Sequence, residues 1–270
     1  MGRRLTITWL FIVFTLVSSA CRISGGDKRV DSDLGLAVQE DIYNLSVLYN
    51  AQSIPQLFFD ENAERSGEEF DPNKVFEILD HLAMEEGYTL DYVYDPNPMG
   101  GYPLLYARKT DQPRFINLAD YENAYPECLV NRPPDSCFYL NHVTVDGSEA
   151  GFVQLLVMYR MGDQFYLDWH ANYNDAEVVT SIAGLEKIIN ERSNTSFGAQ
   201  FTRSQQAKAS DLEPRPVVEI GESTVKVKIT WFTKWGGFYA STYEVQRDMP
   251  HRVKMVETIN LLEYECDIMF

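Results

Sequence analysis

The densest group of side chains that could do chemistry lies between Asp168 and Asp175. The pattern predicts a strand over 164–171, and alternation along it places Asp168, His170 and Asn172 on one face. A carboxylate beside an imidazole can assist acid or base chemistry near neutral pH, and the same groups can hydrogen-bond a ligand. We therefore predict a ligand-binding face here, with a hydrolase that uses Asp168 and His170 as the alternative.

The same stretch has a plainer interpretation, which is a solvent-facing strand followed by a helix that Asn174 and Asp175 cap. The sequence contains no G-x-S-x-G, H-E-x-x-H, P-loop or dinucleotide-binding motif. We therefore predict no catalytic residues and no cofactor. His142 is expected on a nearby strand, but its spacing from His170 does not require a metal, so no metal site is predicted.

Two tyrosines, Tyr121 and Tyr125, lie in a proline-punctuated segment, 109–137, that shows no helical or strand period. Long irregular segments in compact domains often carry function. We expect this segment to lie against the polar face, with the tyrosines as flat platforms and Asp168 and His170 as polar anchors. The partner would be a protein, a peptide or a glycan. The alternative is that the segment only covers the core and buries both tyrosines.

The periodicity of the remaining chain predicts which elements position these residues. Helices are predicted over 37–50, from 72 towards Gly87, and from 174 to 191. Strands are predicted over 88–94, 104–108, 138–145, 152–159, 164–171, 217–220, 224–233 and 238–247, with 252–264 as a further candidate. Short turns between successive strands require antiparallel neighbours. The predicted fold is therefore α+β, with an antiparallel sheet of about seven to eight strands and three helices packed on one face.

Composition limits the class of protein. The chain of 270 residues is 45% hydrophobic and 13% aromatic, which is typical of a globular protein and not of a disordered one. We predict one domain over 37–270, and a split into two subdomains near 109–137 is the main alternative. The net charge of −17 excludes nucleic acid as a partner, because an acidic surface repels the phosphate backbone.

The first residues indicate export. Arg3 and Arg4 precede an apolar run that ends at Val17, and small residues lead to Cys21. This is the pattern of a secretory signal, and the run is shorter than the roughly 18 residues that span a bilayer. The junction Ser19-Ala20-Cys21 resembles the lipobox of bacterial lipoproteins.

That resemblance implies a signal peptide over 1–20, a lipid on Cys21 and a flexible tether over 21–36. The protein would then be an extracytoplasmic binding or envelope-assembly module held at the membrane by its lipid, with an extracytoplasmic hydrolase as the alternative. Arg22 would favour the outer membrane in a cell with two membranes. Ordinary secretion with cleavage before Cys21 remains the other interpretation.

The cysteines agree with an oxidising compartment. Cys128 and Cys137 flank a turn-like stretch and are predicted to form a disulfide, which would stabilise the fold by about 2–3 kcal/mol. If Cys21 is acylated, Cys266 is left as a buried free thiol. If Cys21 is not acylated, a bridge between Cys21 and Cys266 becomes possible.

Overall fold

The computed structural model describes residues 30–60, 65–126, 138–196 and 198–267. The predicted signal peptide and three of the four cysteines (Cys21, Cys128 and Cys137) lie outside these ranges. Their predicted lipid and disulfide therefore stay predictions. The fourth cysteine, Cys266, is free and only 2% exposed, as expected if Cys21 is acylated; the acylation itself stays a prediction.

The α-helices of the described residues are α1 Asp33–Asn50, α2 Leu118–Ala124, α3 Glu149–Met161, α4 Ile182–Ser193 and α5 Arg203–Ser210. The strands are β1 Leu82–Met84, β2 Tyr88–Asp95, β3 Tyr102–Lys109, β4 Val143–Val145, β5 Glu177–Val179, β6 Val217–Ile220, β7 Thr224–Thr233, β8 Gly237–Gln246 and β9 Val253–Leu262. Short 3-10 helices cover Gln56–Phe59, Pro72–Glu77, Tyr139–His142 and Trp169–Tyr173.

The strands form three antiparallel sheets. β1 pairs with β4, β2 pairs with β3, and β5, β7, β8 and β9 form a sheet to which β6 adds by pairing with β7. The mixed α and β class with antiparallel sheets is confirmed. The prediction of a single sheet of seven to eight strands with three helices is wrong. A buried helix replaces the strand predicted over 152–159, and a turn replaces the strand predicted over 164–171.

That helix is α3, which replaces the strand predicted over 152–159. Ser148 caps it by accepting a hydrogen bond from the Gly151 amide, and every residue from Phe152 to Met158 is buried at 1% exposure or less. A helix buried on all sides and a buried strand give the same unbroken apolar run, so the sequence period does not separate them. α3 packs against α1, β5, β6 and β7 and forms the centre of the main core.

The strand predicted over 164–171 is also absent from the described structure. Left-handed φ angles at Tyr166 (53°) and Trp169 (41°) interrupt any extended run. The loop between β2 and β3 presses on this turn: the Asp168 amide donates to the Gly101 carbonyl, and a Cβ at Gly100 would lie 2.3 Å from the Ala171 amide nitrogen. Only glycine permits that approach. The strand alternation that placed three polar residues on one face therefore does not apply.

Two predicted helices differ from the structure in type or in their first residue. Asp71 caps its element as predicted, but this element is a 3-10 helix that ends at Glu77, and β1 follows. The helix predicted from residue 174 begins at Ile182 behind the cap Ser181. The Asp175 carboxylate instead accepts from the Thr233 hydroxyl and from the Lys234 amide.

Candidate functional site

The predicted polar residues Asp168, His170 and Asn172 lie at the 3-10 turn Trp169–Tyr173, and His170 and Asn172 each have a partner within that turn. His170 Nδ1 lies 3.1 Å from the Tyr173 hydroxyl, and the Asn172 amide donates to the Trp169 carbonyl. The Asp168 carboxylate makes no hydrogen bond or ion pair with His170, both of which are described residues. These two side chains therefore do not form a hydrogen-bonded acid–base pair in the described structure.

The predicted platforms, Tyr121 and Tyr125, lie on and just after α2, which packs on the outer face of the β2–β3 hairpin. Tyr121 is 6% exposed and contacts Tyr106 and Tyr125, with ring centroids 5.4 and 5.5 Å apart. Val93 completes this small core. Asn117 begins the helix by accepting from the Asp120 amide. The cap was the local signal that could have predicted α2.

The two tyrosines line a cavity of about 280 Å³ between the edge strand β3 and the 3-10 helix Tyr139–His142. We call it the tyrosine cavity. It is lined by Tyr88, Tyr106, Ala107, Lys109, Gln112, Tyr121, Tyr125, Phe138, Tyr139 and His142. Neither Asp168 nor His170 lines it. The structure therefore does not bring together the two halves of the predicted site, and it joins the tyrosines to His142 instead.

His142 is held on two sides. Its Nδ1 lies 2.7 Å from Glu85 Oε2, and its ring stacks on Tyr88 with centroids 4.0 Å apart and planes 21° apart. A carboxylate at Nδ1 favours the tautomer in which Nδ1 carries the proton and Nε2 is an acceptor. The neutral ring can then accept a hydrogen bond from a ligand hydroxyl.

The charge of the cavity differs from that of the chain. The protein carries a net charge of −17, yet no carboxylate stands among the described lining residues of the tyrosine cavity. Lys109 supplies the permanent charge, and Gln112 and the tyrosine hydroxyls supply neutral polar groups. The cavity therefore suits a polar ligand that is neutral or negatively charged.

Sequence reasoning missed Glu85, Tyr88, Lys109 and Gln112. A partial signal existed in the hairpin, because pairing β2 with β3 sets Tyr88 opposite Lys109. The position of His142 beside this end of the hairpin depends on a contact between distant segments, and no local pattern reports it.

Among the described residues, no group of three or more histidine, cysteine, aspartate or glutamate side chains is placed to hold a metal ion. The same residues include no helix that combines the length and apolar character needed to cross a bilayer. Comparison with protein-family models, with curated proteins and with solved structures finds no match to this chain.

Proposed function

We propose that this protein is a non-catalytic binding module of the cell envelope, exported and tethered through a lipid on Cys21, and that the tyrosine cavity binds a sugar acid. The observation that carries the proposal is the lining of this cavity. Aromatic residues and one lysine line it, without a carboxylate among the described lining residues, in a strongly acidic chain. The proposed location rests on the lipobox-like pattern of residues 1–21.

The aromatic walls suit a sugar ring. Tyr88, Tyr125 and Phe138 are partly exposed, so their faces can contact a ligand, whereas Tyr106 and Tyr121 are buried behind them. Aromatic side chains with a polar tip suit ligands that are apolar on one face and wet on the other. The volume of about 280 Å³ is slightly below the usual range of ligand cavities, so we expect one or two sugar rings and not a long chain.

The polar groups suit a carboxylate and hydroxyls. The Lys109 ammonium can bind a ligand carboxylate, and a charge-assisted hydrogen bond of this kind contributes about 1.5–3 kcal/mol. Gln112 and His142 Nε2 can meet ring hydroxyls as donor and acceptor. A uronic acid has this combination of a ring, hydroxyls and one carboxylate.

The same lining favours binding over hydrolysis. Most glycosidases place two carboxyl groups on either side of the scissile bond. The described lining of the tyrosine cavity contains none, and the neighbouring carboxylate of Glu85 is engaged with His142 Nδ1. We therefore infer a receptor-like role at the cell surface.

Isothermal titration calorimetry of the full chain with D-glucuronate tests this proposal, with D-glucose as the uncharged comparison. We expect glucuronate to bind about tenfold more tightly than glucose, because only glucuronate meets Lys109. Lys109→Met should remove that preference. Lys226→Met is the matched control, since it removes the same charge from an exposed position on β7, outside the cavity. No binding of glucuronate, or equal effects of the two substitutions, would overturn the proposal.

A further inference from the structure

A second cavity, of about 440 Å³, borders α2 and shares no lining residue with the tyrosine cavity. We call it the carboxylate cavity. It is lined by Phe58, Asp60, Arg65, Tyr94, Asp95, Pro96, Asn97, Pro98, Ile116, Asn117, Leu118, Ala119 and Glu122. We propose that it binds a free α-amino acid with an apolar side chain. The proposal is independent of the sugar-acid site.

The cavity has an apolar floor. Phe58 stacks on Tyr94 with ring centroids 4.5 Å apart and planes 10° apart, and Tyr94 is fixed by its hydroxyl, which donates to the Tyr166 carbonyl. Ile116 is 38% exposed at the wall, and Leu118 lies beside it on α2. An apolar ligand side chain that packs against these groups would be removed from water, which favours binding.

Three carboxylates line the cavity, those of Asp60, Asp95 and Glu122, and the last two can receive an ammonium group. Burial raises the pKa of Asp95, while hydrogen bonds from the Tyr102 hydroxyl and the Asn97 amide lower it. Glu122 is partly buried and makes no ion pair with any described residue. A partly desolvated carboxylate without a cation is stabilised when a cation binds next to it.

Arg65 provides the complementary group. Its side chain is 5% exposed, and its Nη1 donates to Asp91 Oδ1 at 2.8 Å and to the Tyr92 carbonyl. Its Nε is buried and has no hydrogen-bond partner, and the carboxylate oxygen Glu69 Oε2 lies 3.9 Å away from it. Nε is therefore closed to a ligand, but Arg65 is the one cationic residue in the described lining of the cavity, so a ligand carboxylate is expected to lie next to its guanidinium.

These three features select one class of ligand. An amine alone would leave Arg65 without a ligand carboxylate, and a carboxylate alone would be repelled by Asp60, Asp95 and Glu122. A zwitterion satisfies both ends, and an apolar side chain fills the floor. The volume lies within the range of small-molecule sites.

The test is calorimetry of the full chain with three probes of similar size: L-leucine, isoamylamine, which keeps only the ammonium, and 4-methylpentanoate, which keeps only the carboxylate. We expect L-leucine to bind and each partial analogue to bind at least about tenfold more weakly, as expected for a lost charge-assisted hydrogen bond. Equal affinity for L-leucine and either analogue, or no heat of binding with L-leucine, would overturn the proposal.

Substitution locates the site. Glu122→Gln should weaken L-leucine binding about tenfold, whereas Asp120→Asn removes one charge from the same helix outside the cavity and should leave binding unchanged. Equal affinities of the two variants would refute the location. If Glu122→Gln fails to fold, the three probes still decide the matter with the unmodified protein. Saturating L-leucine should leave glucuronate binding in place, so failure at one site is distinguishable from failure at the other.

Discussion

Neutralising Asp91 should strongly destabilise the protein, because this carboxylate is buried between two arginines. The side chains of Asp91 and Arg65 are 7% and 5% exposed, and Oδ1 lies 2.8 Å from Arg65 Nη1. Oδ2 accepts from Arg108 Nε at 3.0 Å, and the Arg108 side chain is 17% exposed. The perturbation is Asp91→Asn, which keeps the size of the side chain and removes its charge.

The magnitude follows from these contacts. Oδ1 also accepts from the Tyr92 amide, so both ends of the carboxylate face N–H donors. In either orientation, the amide nitrogen of the introduced asparagine would face at least one donor, and Arg65 would lose its buried counter-charge. Breaking a buried pair by neutralising one partner costs about 3–5 kcal/mol. We expect a loss in that range.

Urea unfolding of the two proteins, followed by circular dichroism, gives the difference in the free energy of unfolding. The control is Glu213→Gln, which breaks the exposed pair of Glu213 and Arg215 and should change stability by less than about 1 kcal/mol. If Asp91→Asn costs no more than Glu213→Gln, the reasoning about the buried cluster is wrong.

Two further predictions concern export and pH. Mass spectrometry of protein expressed in a bacterial host should show a mature N-terminus at lipidated Cys21 and a peptide pair linked through Cys128 and Cys137; an unmodified Cys21 in processed protein would contradict the first. The hydrogen bond to Asp146, at 2.7 Å, raises the pKa of His81. Although burial raises the pKa of Asp146, hydrogen bonds from Ser148 and His81 lower it to about 2. Stabilisation by His81 should be full below its ordinary pKa of 6.5 and should fade as pH rises through the higher folded value. The stabilisation by Asp146 should be full above pH 3.8, the ordinary pKa of its carboxyl group, and should fade as pH falls through the folded pKa of about 2. Both groups are more than a third exposed, so the difference in the free energy of unfolding between the wild type and His81→Gln should stay under about 1 kcal/mol. This difference should shrink at alkaline pH. A difference that grows as pH rises would contradict the predicted direction of the pH dependence.

The parts of the fold that could be predicted from the sequence are those set by local rules. The hairpin predicted over 88–108 and the strands predicted over 217–247 match β2, β3, β6, β7 and β8 closely, because alternation and turn residues act between neighbours. The cap at Asp71 is local in the same sense.

The failures have a non-local cause. The turn at Trp169 is set by a loop about 70 residues earlier in the chain, whose Gly100 touches its backbone. The tyrosine cavity likewise gathers residues from four separate segments, so that His142 stacks on Tyr88 although the two are far apart in the chain. Residue types at the candidate sites were visible in the sequence, but their grouping depended on packing.

The β2–β3 hairpin shows why the candidate sites lie where they do. A two-stranded sheet is marginal alone, and this one is stabilised by its inner face, where Leu90 and Tyr92 join the main core. Its outer face, which α2 covers in part, carries Asp91, whose charge is compensated by Arg65 and Arg108. A buried ion pair is rarely more stabilising than apolar packing of the same volume. Here Asp91 occupies Arg65 Nη1 and thereby holds the guanidinium at the wall of the carboxylate cavity, so the same contact that governs stability in Asp91→Asn should also govern the orientation of the proposed ligand's carboxylate.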